Sequence, residues 1–142
     1  MHNMNEQTNL RICALGKNSS GFTLIEVLIA AAVFSIGFLA MVMIAINNLR
    51  DVNEDSKVNK RTLAVRFGVP FAKKEILFCL LAPFALNIYW GLQLSMLMLP
   101  LAFYIANNVL ISPPGKTYNR LLGQSALLHL LFGACLTFGF FL

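Results

Sequence analysis

Charge is scarce in this sequence. Of 142 residues only 12% are Asp, Glu, Lys or Arg, against 58% hydrophobic, where soluble domains carry about 25% charged residues. So apolar a chain excludes an ordinary soluble fold, because it must keep much of its surface in lipid. Cysteine and histidine are equally sparse. Cys13, Cys79 and Cys135 are isolated and show no CxxC spacing, which excludes a disulfide framework or a cysteine-based metal site. His2 and His129 also stand alone, and a helix-packing polar role suits His129.

Long apolar runs are what the chain has in their place. Phe22 to Ile46 contains one charge, Glu26, while Ile76 to Ile111 and Leu121 to Leu142 contain none. Each run supplies the roughly 20 residues needed to cross about 30 Å of hydrocarbon. The middle run would extend roughly 54 Å as one helix. It is therefore read as two short helices, about 76–92 and 93–111, turning within Asn87 to Gln93, where Asn87, Tyr89, Trp90 and Gln93 supply interfacial groups. With helices at 22–46 and 121–142, the predicted fold class is an all-α integral membrane protein with about four transmembrane helices.

The net charge of +5 does not point to nucleic acid. Seven of the eleven basic residues, Arg50, Lys57, Lys60, Arg61, Arg66, Lys73 and Lys74, lie in the segment 47–75 between the first and second apolar runs. Such clustering beside membrane helices is a topology signal that puts the segment, read as a charged loop, on the cytoplasmic side. Within it, Asp51 and Asp55 are four apart and Asn48 three residues earlier, so on one helix they share a face. Oxygen donors so arranged suit Mg²⁺, which keeps coordination positions for water and phosphate oxygens.

The string Asn47-Asn48-Leu49-Arg50-Asp51-Val-Asn-Glu54-Asp55-Ser-Lys57-Val-Asn-Lys60-Arg61-Thr62, continuing to Arg66 and Gly68, resembles the second aspartate-rich segment of the UbiA superfamily of membrane prenyltransferases, in its naphthoate-prenylating branch. Asn119-Arg120-Leu-Leu-Gly123-Gln124, continuing to His129 and Gly133, resembles the last helix of the same family. The resemblance covers about residues 37–142 and implies part of a UbiA-type helical bundle in a bacterial inner membrane. It implies transfer of a polyprenyl group from its diphosphate to 1,4-dihydroxy-2-naphthoate in menaquinone synthesis. Asp51 and Asp55 would be the catalytic carboxylates and, with Asn48, Mg²⁺ ligands; Arg50, Lys60 and Arg61 would bind the diphosphate. The family uses two aspartate-rich segments, and the six acidic residues here, Glu6, Glu26, Asp51, Glu54, Asp55 and Glu75, supply one. A lone chain is thus expected to be incomplete, with a second chain supplying the other half.

The N-terminal stretch is similar to a different family. Lys17-Asn-Ser-Ser-Gly21-Phe22-Thr-Leu-Ile-Glu26 resembles the leader of type IV prepilins, over about Lys17 to Leu39. This implies a leader at 1–21, cleavage after Gly21, methylation of Phe22 and pairing of Glu26 with a neighbour's amine. A pilin-like structural protein is therefore the alternative, and a fusion joined near Ser35 to Met41 accounts for both resemblances. They disagree on the N-terminus: a prepilin keeps it in the cytoplasm, whereas seven basic residues after the first helix against two before it put it outside.

Overall fold

The computed structural model describes residues 23–89 and 93–139. The leader with Gly21 and Phe22, and also His2, Cys13 and Trp90, lie outside the described residues. All regular structure described is helical: α1 Leu24–Arg50, α2 Val52–Lys57, α3 Leu63–Phe67, α4 Val69–Tyr89, a 3₁₀ segment Gln93–Met98, α5 Leu99–Ile111 and α6 Tyr118–Gly139.

The start of α1 is set by a capping box. The Thr23 hydroxyl accepts from the Glu26 backbone N–H at 3.3 Å, and the Glu26 carboxylate accepts from the Thr23 backbone N–H at 2.7 Å, so two otherwise unpaired donors of the first turn are satisfied. Glu26, linked by resemblance to pairing with another subunit, therefore has a local structural role. Buried positions Ala31, Ser35, Leu39, Val42, Ile46 and Leu49 on α1 recur every three or four residues, forming one continuous seam. Facing it are Ala72, Ile76, Leu80, Pro83 and Asn87 of α4 and Leu121, Ser125, Leu128 and Phe132 of α6. Edge-to-face ring pairs Phe38–Phe78 and Phe84–Phe132, at centroid distances of 5.8 and 5.2 Å, tie α4 to α1 and to α6.

The outer faces are equally apolar, with Leu24 73% and Leu130 69% exposed. Only 22% of the most apolar window of α1 is buried within the fold. Helices that are hydrophobic all round belong in lipid, and the chain is an all-α membrane protein. Three described segments are long and apolar enough to cross: Leu24–Arg50, Gln93–Ile111 and Tyr118–Gly139. Among the described residues, α4, expected as the fourth, is not such a segment. Its first turns carry Lys73, Lys74 and Glu75, leaving 14 uncharged residues from Ile76 to Tyr89, about 21 Å of helix.

Two further sequence expectations change. Asn87 is not an interfacial turn residue but sits inside α4, fully buried, accepting from the Ser35 hydroxyl at 3.1 Å and donating to Ser95 Oγ at 2.8 Å. The segment 47–75, expected as a loop, is mostly helical. α1 continues to Arg50 because Ile46 and Leu49 remain in the core, and α2, α3 and the first turns of α4 follow. The Thr62 hydroxyl caps α3 by accepting from Val65 N–H at 3.3 Å. Gly68, at φ +84°, makes the corner into α4 that a side chain would strain.

Candidate functional site

The end of the bundle where α1 stops is its only described concentration of charge close to a concave polar surface. Asp51 ends α1 and opens α2 at φ −97°, ψ 8°, the sparsely populated bridge region between helix and strand. The break separates the three oxygen donors expected on one helical face. Asn48 remains on α1, Asp51 occupies the junction, and Asp55 belongs to α2.

Asp51 is held by its neighbour. Arg50 Nε donates to Asp51 Oδ1 at 2.7 Å and Nη2 to Oδ2 at 2.6 Å, a two-point contact that fixes both planes. This pairing, with the Lys60 charge adding to it, holds the Asp51 carboxyl below its ordinary value. The remaining Arg50 nitrogen, Nη1, donates to Asn119 Oδ1 on α6 at 3.0 Å. Arg50 thereby joins two segments 69 residues apart. Between them lies a cleft of about 370 Å³ lined by Arg50, Asp51, Glu54, Gly115, Lys116 and Asn119.

Asp55 is only 7% exposed and does not line this cleft. Its Oδ1 accepts from Lys60 Nζ at 3.1 Å, and its Oδ2 is buried without a hydrogen-bond partner. Arg61 is exposed and forms no ion pair among the described residues. Of the sequence-predicted set, the structure thus joins Arg50 to Asp51 and Lys60 to Asp55, with Asn48 half-buried one turn before Asp51. No cluster of three or more His, Cys, Asp or Glu side chains forms among the described residues. The three candidate donors are all hard oxygens, the type Mg²⁺ prefers, but only Asp51 of the three lines the cleft, with both its oxygens on Arg50, whereas the unpartnered Asp55 Oδ2 is buried away from it.

Lys116 and Asn119 were not picked out as site residues from the sequence. The signals were present in the Pro113-Pro114-Gly115 turn and in the Asn119-Arg120 string that resembles the family's last helix. Lys73, grouped with the topology charges, instead donates to the carbonyls of Leu110 and Ser112, both at 2.8 Å.

A multi-pass helical membrane protein with acidic and basic side chains gathered at one helix end is the class these features define. Residues 13–126 match the UbiA prenyltransferase family, and the chain belongs to that family. It is also similar to 1,4-dihydroxy-2-naphthoate octaprenyltransferase of Haemophilus influenzae, 32% identical over 113 residues, covering 72% of this chain and 36% of the relative. The chain therefore spans about a third of that relative's length. No solved structure matches. The family match begins at Cys13 rather than near Gly37, so the prepilin-like stretch from Lys17 to Leu39 lies inside it.

Proposed function

We propose that the chain forms the magnesium- and diphosphate-binding part of a membrane prenyltransferase that transfers a polyprenyl group to 1,4-dihydroxy-2-naphthoate. The observation that carries this proposal is the Arg50–Asp51 pair facing a polar cleft at a helix end, in a chain of this family. Asn48, Asp51 and Asp55 would hold Mg²⁺, which requires Asp55 to turn out of its buried position toward the cleft. Bound there, the ion would neutralise charge developing on the diphosphate leaving group.

Arg50, which lines the cleft, would supply the first complementary cation, its planar guanidinium suited to two-point phosphate contact, with Lys60 and Arg61 nearby in sequence as the further candidates. As the allylic carbon–oxygen bond breaks, its electron pair leaves with the diphosphate. The resulting carbocation is attacked by the electron-rich ring, a carbon–carbon bond forms, and in the naphthoate branch the ring carboxylate departs as CO₂. The apolar helix faces keep water from the cation and shelter the isoprenoid tail. The second set of carboxylates that the family uses would come from protein outside these 142 residues. The excess of basic residues over 47–75 supports a cytoplasmic orientation of the site, in a bacterial inner membrane.

The test is Mg²⁺-dependent binding of farnesyl diphosphate to the purified chain in detergent, followed by calorimetry. Asp51→Asn with Asp55→Asn should weaken it by about tenfold or more, the equivalent of at least 1.4 kcal/mol. Undiminished binding by the double variant would remove the site assignment.

A further inference from the structure

The wall of the cleft opposite Asp51 comes from the α5–α6 linker and the first turn of α6, which contribute Gly115, Lys116 and Asn119. On the basis of the diphosphate-binding function above, we propose that this wall completes the head-group site: Lys116 contacts the diphosphate directly, and Asn119 is a positioning residue that aims Arg50.

The linker is fastened on both sides. Ahead of it, the last carbonyls of α5 are held by Lys73, which donates to Leu110 and Ser112. Behind it, buried Tyr118 donates its hydroxyl to the carbonyls of Val109 at 3.1 Å and Ser112 at 3.3 Å. Within the turn, Tyr118 N–H donates to Gly115 O at 2.9 Å and Asn119 N–H to Lys116 O at 3.1 Å. Pro113 and Pro114 restrict the backbone immediately before it. Lys116 is thus presented from a stiff turn rather than a loose loop.

Donor accounting gives each residue its role. A guanidinium has five N–H donors. Two of those of Arg50 meet Asp51 and one meets Asn119, which leaves two for a ligand and fixes the plane in which they point. The Lys116 side chain forms no hydrogen bond or ion pair among the described residues, so all three of its ammonium donors are open to the cleft and solvent. The cleft, about 370 Å³, has room for about twelve waters at roughly 30 Å³ each, enough for a hydrated diphosphate. Its lining pairs two cations, Arg50 and Lys116, with two carboxylates, Asp51 and Glu54. That balance suits a ligand carrying both anionic oxygens and a divalent cation.

The experiment uses magnesium pyrophosphate as the probe, titrated into the full chain in detergent, with helix content checked by circular dichroism. Lys116→Ala should weaken binding about tenfold, one charge-assisted contact, while Lys116→Arg restores it. Asn119→Ala should weaken binding about threefold in the wild-type background and leave Arg50→Ala unchanged, because a residue acting through Arg50 is not additive with its loss. If Lys116→Ala and Asn119→Ala both bind as the wild type does while Asp51→Asn is weakened, the opposite wall has no part in the site and the diphosphate function stands. Wild-type binding that is absent, or that survives Asp51→Asn with Asp55→Asn, overturns both.

Discussion

Ser35 of α1 and Asn87 of α4, 52 residues apart, share a 3.1 Å hydrogen bond in the fully buried interior of an otherwise apolar bundle. Asn87 also donates to Ser95 at 2.8 Å, so one amide ties three segments together. Asn87→Ala removes the acceptor used by Ser35 and the donor used by Ser95 and should destabilise the protein by about 1 kcal/mol, at roughly 0.6 kcal/mol for each side-chain hydrogen bond between membrane helices. Unfolding in mixed detergent measures this, with Ser35→Ala expected to be milder because Asn87 keeps Ser95.

At the opposite end, Lys73 gathers two carbonyls at the C-terminus of α5, where a cation also meets the negative end of the helix dipole. Lys73→Met should cost about 1 kcal/mol, and Lys73→Arg less. Thermal unfolding of the purified variants distinguishes this anchoring role from a topology signal, which either basic residue would preserve equally.

Gly115 sits at φ +134°, with open space where a Cβ would lie. Gly115→Ala therefore meets no clash, and its effect is one of backbone strain alone, about 1–3 kcal/mol. Gly123, inside α6 and also without close neighbours, is the control. Gly123→Ala should raise stability by up to about 1 kcal/mol, measured in the same unfolding assay.

Asp51 gives a pH signature. Arg50 lowers its pKa in the folded state from the ordinary 3.8, so the pair's stabilisation is fully present above that value and is lost as pH falls through the lower, folded-state value. The stability difference between wild type and Asp51→Asn should stay constant from neutral pH down to about 3.8 and shrink below it. The difference itself should be small, as both side chains are about a quarter exposed. A difference that grew on acidification would mean that Arg50 does not stabilise the ionised form.

Much was legible in the residues themselves. The apolar runs ending at Ile46, Ile111 and Leu142, which hold one charge between them, specify membrane helices whatever they pack against, because burial in lipid depends on composition and length. The Asn48, Asp51 and Asp55 spacing pointed to one shared helical face, which the structure divides at Asp51. The break in the helix at Asp51 was not legible, since nothing local in Leu49-Arg50-Asp51-Val52 forbids a continued helix. Packing of Leu49 and Val52 into the core and the pull of Arg50 toward Asn119 favour the turn there.

The charged segment at the end of α1 and the membrane character of the chain were determined by the sequence alone, through the distribution of polar atoms along it. Which side chains meet in the cleft was decided only by the tertiary structure. Asn119 meets Arg50, and Lys116 lines the same cleft as Asp51, because α6 packs on α1, while Asp55 on α2 is buried away from that cleft. Contacts across 69 residues depend on how helices pack, and local spacing carries no record of that.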